Sequence, residues 1–322
     1  MCLYPKLIIN PKYKKNKKNQ GIIPYLKDER MLYIPIGCNK CKECYKKKAN
    51  IWRIRLGEEI KRKDNGRAYF VTLTFSTEKL KETDEKINIE YKGYERDNAI
   101  AVHAVRRFTE NWRSKYKKSI RHWFVTELGG GRYEHLHIHG IIWTKENFEE
   151  VRNKWNYGFV FPRDYQVTRN YVNSRTISYI MKYLTKYDAN HPNYKAIIMT
   201  SNGIGGNYKA SLSEKMKDKY KTNQGYELTL PIYYRNKIYT ESEREELWIK
   251  KLNENVRYIG RNKVYGNDVE TILQLLRQER EINKKDGYGG EESEEKWNER
   301  DYENQLREII IKKRFAEMKN NI

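Results

Sequence analysis

The stretch His135-Leu136-His137-Ile138-His139-Gly140-Ile141-Ile142-Trp143 constrains the fold more than any other part of the chain. Three of the six histidines fall within five residues, spaced by two. Side chains of an extended strand alternate between faces, so His135, His137 and His139 share one face, while Leu136, Ile138 and Ile141 need other accommodation. Imidazoles gathered on one face make a metal site; the plainer alternative is an exposed strand that is merely polar. Upstream, Trp123–Leu128 is a second strand, and Gly129-Gly130-Gly131 turns it back toward the histidines. The pattern is a hairpin with a loop longer than the tight two-residue type, and its pairing brings Glu127 near the histidine strand.

The other segments surround this hairpin. Tyr69–Phe75 is β-branched and aromatic, bounded by Gly66 and Ser76, and reads as a core strand. Residues 77–97 read as a charged loop. Asn98–Lys117 reads as a helix, with Ala101, Ala104, Val105, Phe108 and Trp112 at helical spacing and His103 beside them in a structural role. Tyr45–Lys63 reads as a basic helix around Trp52, Asn147–Trp155 as a short helix, and Tyr157–Phe161 as a strand. Ser174 is placed to cap a helix in which residues 179, 182, 183 and 186 follow at i, i+3, i+4 and i+7. Two tyrosines and two lysines then share a face, and Ile177, Ile180, Met181 and Leu184 anchor the rest; the plainer alternative is an amphipathic helix with tyrosines at its rim. Thr240 caps a further helix, Val269–Asn283 is amphipathic, 287–290 is a glycine joint and 291–318 a charged helical tail. The strands outnumber simple βαβ alternation, so the fold class is α+β, with an antiparallel sheet and helices packed on it.

Charge narrows the partner. Lys and Arg number 65 against 43 Asp and Glu, a formal net charge of +22, and the chain holds 27 tyrosines. Cations displace counterions from phosphate and aromatic rings stack on unpaired bases, so nucleic acid explains the combination better than a merely solvated cationic surface. The run at 12–20 is either a solvated, flexible stretch or an arm on DNA phosphates. No apolar run reaches the roughly 18 residues of a spanning helix, and no apolar signal region is seen near Met1, which predicts a soluble, cytoplasmic protein. All four cysteines belong to one set, Cys2, Cys38, Cys41 and Cys44. The C-x2-C-x2-C spacing brings three thiolates to one ion and Cys2 completes a tetrahedral set, which favours structural zinc over disulfides, with an iron–sulfur cluster as the alternative.

The histidine strand and Tyr179-Ile180-Met181-Lys182-Tyr183-Leu184-Thr185-Lys186 together resemble the HUH endonucleases. Within them, the chain is most similar to the replication initiators of small single-stranded DNA phages, the microviruses of gokushovirus type. The family's two-histidine motif matches His137 and His139. Its order Tyr-x-x-Lys-Tyr-x-x-Lys matches Tyr179, Lys182, Tyr183 and Lys186, with Tyr187 outside the pattern. Glu127 matches a Glu that precedes the glycine turn in those initiators. Tyr69–Phe75, the Gly37–Cys44 element with its following basic helix, Met199–Gly205 and Leu230–Arg235 resemble further family elements. The flank Glu134-His135-Leu136 departs from the pattern, and His135 is left as a DNA contact, an additional ligand or a feature of the polar face.

The resemblance implies a central sheet of ferredoxin-like or RNA-recognition-like type, with metal ligands His137, His139 and Glu127 on the sheet and nucleophiles Tyr179 and Tyr183 on a facing helix. The implied division is a Cys-rich element and basic helix over 1–63, an HUH endonuclease domain over 64–240 and a charged helical region over 241–322. The implied activity is that of a rolling-circle initiator. It nicks single-stranded origin DNA, leaves a 5′-phosphotyrosine and a free 3′-OH, and then re-ligates the unit-length circle. Lys182 and Lys186 would stabilise phenolate and phosphate charge, and Mg²⁺ or Mn²⁺ would serve as the catalytic ion. Host helicase and polymerase are the implied partners, in the cytoplasm of the host bacterium. The alternatives are an HUH transposase or plasmid initiator, and a non-catalytic zinc-containing nucleic-acid-binding protein.

Overall fold

A computed structural model of the chain describes residues 1–87, 90–130, 134–223 and 225–289, together with 307, 309 and 311. The expected glycine joint is described as far as Gly289. The expected tail helix over 291–318 lies outside the described residues apart from Arg307, Ile309 and Ile311. The chain divides into two compact units: Met1–Ile51 with Lys209–Glu292, and Trp52–Tyr208 with the C-terminal segment.

At the N-terminal end β1 (Lys6–Ile9) pairs antiparallel with β2 (Tyr33–Ile36). The lysine run between them is folded. Asn10 and Asn16 accept backbone N–H groups of short 3₁₀ turns, Tyr13 is buried, and Lys12 pairs with Glu241 at 2.7 Å. Asn side chains replace missing backbone partners in such turns, which is how a strongly charged stretch keeps a defined path. The helix α1 (Lys42–Glu59) follows.

The second unit is built on one antiparallel sheet. Its elements are β3 (Arg67–Thr74), α2 (Thr77–Lys86), α3 (Gly93–Tyr116), β4 (Arg121–Leu128), β5 (Leu136–Thr144), α4 (Phe148–Lys154), β6 (Val160–Phe161), α5 (Asp164–Val167), α6 (Ser174–Ile180), α7 (Lys182–Thr185) and β7 (Ile198–Thr200). The five strands run in the order β6-β3-β5-β4-β7, every neighbour antiparallel. The α+β class with a central antiparallel sheet is therefore what forms. One sheet face presents Val71, Leu73, Phe124, Leu136, Ile138 and Ile142 to Ile100, Ala104, Phe108 and Trp112 of α3. Each such large side chain contributes about 1.5–3 kcal/mol by leaving water, so this face fixes the register of β5. The segment expected as a loop at 77–97 contains α2. Ser76 caps it by accepting from Lys79 N, and Leu80 is its buried apolar anchor. In the segment expected as a strand over 157–161, Val160–Phe161 pair with β3, and Phe159 O and Tyr157 O accept from Thr74 N and Ser76 N.

The rest of the first unit comprises α8 (Leu212–Lys217), β8 (Lys219–Lys221), β9 (Glu227–Thr229), α9 (Ile232–Ile238), α10 (Glu241–Glu254), β10 (Val256–Ile259), β11 (Asn262–Tyr265) and α11 (Val269–Lys285). Thr240 caps α10 as its sequence predicts, with Glu243 reaching back to the Thr240 N–H. The strands β8–β9 and β10–β11 form two small antiparallel hairpins. No helix among the described residues is long and apolar enough to cross a membrane.

Candidate functional site

The sheet face opposite α3 carries the polar residues. β5 lies between β3 and β4, so His137 stands across from Glu127 and Thr74, and His139 across from Val125 and Thr72. His139 is buried; its Nε2 lies 2.8 Å from Glu127 Oε2 and its Nδ1 3.0 Å from Thr72 Oγ1. This pairing suits an imidazole that donates from Nε2 to the carboxylate and accepts the Thr72 hydroxyl at Nδ1. The His137 ring lies nearly parallel to that of His139, centroids 6.3 Å apart. Burial lowers the His137 pKa and the neighbouring His139 lowers it further, which favours the neutral ring. A Cβ on Gly129 would come within 2.7 Å of His137 Cε1, so the glycine turn makes room for this ring. A Cβ on Gly140 would meet Trp123 O at 2.1 Å, and its absence lets β5 lie close against β4. β5 begins at Leu136, and His135 lies just before it with its C=O still accepting from Gly129 N.

The tyrosine helix packs over this face. Asn173, one residue before the expected Ser174, caps α6 by accepting from Arg175 N and Thr176 N. Ile177, Ile180, Met181 and Leu184 are buried and anchor the segment. The Tyr183 ring stacks on His139, centroids 4.1 Å apart and planes 5° from parallel. Tyr183 donates its hydroxyl to Tyr179 Oη at 3.1 Å, and Tyr179 rests edge-on against Phe70. Lys182 Nζ stands 5.4 Å from the Tyr179 ring centroid. Burial raises the Tyr183 pKa, and its hydrogen bond to Tyr179 raises it further. The helix is not continuous to Lys186 as its spacing predicts. It is interrupted at Met181 and ends at Thr185, with Lys186 extended as the C-cap. Lys186 Nζ instead reaches 3.9 Å from Glu127 Oε1, and Tyr187 lies beyond the helix.

A charged network that the sequence did not single out lies next to this site. His191 is 3% exposed, with Nδ1 2.8 Å from Asp188 Oδ2 and Nε2 2.9 Å from Glu134 Oε2. Burial alone lowers the His191 pKa, but the two carboxylates outweigh it and the net shift is upward. Arg307 is 1% exposed; it donates to both carboxylate oxygens of Asp97 at 2.8 and 3.0 Å, and to Glu134 Oε2 and O. Glu134 sits in left-handed backbone, φ 45°, shortly before the histidine strand, and Asp188 lies shortly after the tyrosine helix. The network thus ties together both ends of the segments that carry the candidate residues. Buried charges require such partners, because an unpaired one costs several kcal/mol.

In the first unit, Cys2, Cys38, Cys41 and Cys44 place their sulfurs within 4.8 Å of one another, with Cys2–Cys41 at 3.9 Å and Cys38–Cys44 at 4.0 Å. A tetrahedron with Zn–S bonds of about 2.3 Å has edges of about 3.8 Å, so the set fits one structural zinc. The N–H groups of Tyr4 and Cys38 donate to Cys2 Sγ, and that of Cys41 to Cys38 Sγ, an arrangement that supports thiolate charge. Among the described residues this is the one set of three or more His, Cys, Asp or Glu ligands converging to that spread. Glu127 and His139 are in contact, and His137 stands one ring spacing away.

No curated protein and no solved structure matches the chain. Residues 68–188 match the family described as Replication-associated protein ORF2. The matched stretch begins in β3 and ends just past α7, so it contains Glu127, both strand histidines and both tyrosines; the cysteine set lies outside it. This match makes the stretch that carries these residues similar to replication-associated proteins.

Proposed function

We propose that the chain is a rolling-circle replication initiator of the HUH type, related to those of the microviruses, that nicks and rejoins single-stranded origin DNA through Tyr179 and Tyr183. The observation that carries this reading is the stacking of Tyr183 on His139 at 4.1 Å, with His139 bound to Glu127 and Tyr179 one hydrogen bond from Tyr183. Two phenols, two imidazoles and a carboxylate meet on one polar sheet face, where a structural role alone asks for apolar packing. The family match over 68–188 points the same way.

His137, His139 and Glu127 would supply mixed nitrogen and oxygen donors to Mg²⁺ or Mn²⁺, which would polarise the scissile phosphate when bound. The remaining steps belong to the chain. Tyr179, the exposed member of the pair, attacks first. Its oxygen forms the new bond to phosphorus, the bond from phosphorus to the 3′ oxygen breaks, and the phenol proton is balanced by the proton gained on the 3′-OH. Lys182 and Lys186 hold positive charge beside the phenol and the phosphate. Tyr183 cleaves the regenerated origin after one round, and the freed 3′-OH attacks the first phosphotyrosine to close the circle. Each bond broken is replaced by one of the same kind, so no nucleotide is consumed. Host helicase and polymerase in the bacterial cytoplasm would extend the primer.

Incubation with single-stranded origin DNA and Mn²⁺, followed by denaturing electrophoresis, tests the reading. A protein–DNA adduct that requires the ion and resists denaturant is expected. An unreactive protein that still binds the strand would make it the non-catalytic zinc-containing binding protein instead.

A further inference from the structure

The hairpin β10–β11 lies outside the matched stretch and has two unlike faces. Its register sets Arg257 across from Val264, Tyr258 across from Lys263 and Val256 across from Tyr265. Ile259 and Val264 are buried against Ile272, Leu275 and Leu276 of α11, which fixes one face of the hairpin on a helix. The turn is two residues long, with Gly260 at φ 58° supplying the left-handed conformation that such hairpins need. The other face presents Tyr258 and Tyr265, each 55% exposed, with Lys263 between them. Arg261 is exposed in the turn, and Arg257, which shares the helix-side face with Val264, is exposed at its edge. No Asp or Glu occurs from 256 to 265. The nearest acidic groups in sequence, Glu254 and Asp268, flank the hairpin, and Glu279 lies beneath its turn on the helix side.

We propose that the tyrosine face is an accessory binding site for single-stranded DNA, with Tyr258 and Tyr265 stacking on bases and Lys263 and Arg261 engaging phosphates. Exposed tyrosines on a rigid ribbon add little to the fold, because its buried apolar contacts lie on the opposite face. Diagonal residues of an antiparallel pair stand about 7–8 Å apart, wider than the roughly 3.4 Å between stacked bases of a duplex strand. The spacing therefore suits an extended, unpaired strand, whose base faces are open; a duplex hides them. Aromatic stacking tolerates any base, and the cations track the backbone. A protein partner would be served by the tyrosines but leaves the cations of this acid-free ribbon without a role. The choice of DNA rests on the initiator reading above.

The test is fluorescence anisotropy of the full chain with a labelled oligothymidine, across a salt series. The Tyr258→Ala, Tyr265→Ala variant is expected to bind at least about 10-fold more weakly. The Tyr258→Phe, Tyr265→Phe variant keeps the rings and should stay within about 2-fold of wild type. Changing Arg261 and Lys263 to Gln should lower the slope of log affinity against log salt by about 1–2. Wild-type affinity in the alanine variant, an equal loss in the phenylalanine variant, or an equal loss on duplex DNA would overturn the proposal. The two readings fail separately. A wild type that binds through the hairpin yet forms no adduct removes the nicking assignment alone. An adduct-forming protein whose hairpin variants bind normally removes this proposal alone.

Discussion

The cysteine cluster and the histidine–tyrosine face both gather side chains of kinds that can ligate a metal, and they are built on opposite plans. The cysteines form a closed shell: four sulfurs within 4.8 Å, fed by backbone N–H groups, in a part of the chain stapled by short turns. The other set is open. Its donors are unlike, two of them touch, and a pair of phenols lies beside them. A closed, uniform shell leaves no position for substrate, whereas an open, mixed one beside a nucleophile does. The proposed reading gives shape-keeping to the first and chemistry to the second.

The largest expected effect sharpens the chemical side. The Tyr179→Phe, Tyr183→Phe variant keeps both rings and loses both nucleophilic oxygens, so covalent adduct should vanish from denaturing gels while the fold survives. Each single variant should still nick but fail to close unit circles. Next comes His139→Ala, which removes a proposed ligand and the ring beneath Tyr183; cleavage should fall by at least about 100-fold. Strand binding, carried by Lys and Arg, should persist. Metal-independent cleavage in that variant would break the comparison, and an equal loss of metal affinity in His135→Ala would give His135 the place assigned to Glu127.

Smaller effects test the structural side. Cys41→Ser should lose most of the bound zinc by metal analysis and lower the melting temperature; full zinc content and unchanged stability would rule out the closed shell. Arg307→Ala leaves Asp97 and Glu134 without their buried cation, and denaturant unfolding should show a cost of about 3–5 kcal/mol. The smallest effect is the pH dependence of His191. Its folded pKa is raised, so its contribution is full below the ordinary value of about 6.5 and fades as pH rises through the folded value. His191→Gln should flatten that part of the stability profile.

The parts legible in the sequence are those whose signal is local. Period-two spacing put His137 and His139 on one strand face, four-residue spacing brought Tyr179 and Tyr183 together across the break at Met181, and the capping pattern at Thr240 marked a helix start. α2 was missed because Leu80 is its single fully buried apolar residue, too little to register as periodicity. The end of the tyrosine helix at Thr185 was missed because helical spacing carries no stop signal there. The Arg307 network had little local signal: Asp188 and His191 are three residues apart, but Asp97, Glu134 and Arg307 join them only through the fold. The Thr72 contact to His139 is intermediate. Strand alternation places Thr72 on the polar face, but only the pairing of β3 with β5 brings it to Nδ1.

The central claim is that Tyr179 and Tyr183 share one reaction centre over His139. Mass spectrometry of the nuclease-trimmed adduct, trapped in a single turnover, tests it most directly. The 5′-phosphonucleotide should map first to Tyr179, and to Tyr183 in the Tyr179→Phe variant. A phosphonucleotide on Tyr187, or one that survives in the double variant, would contradict the account.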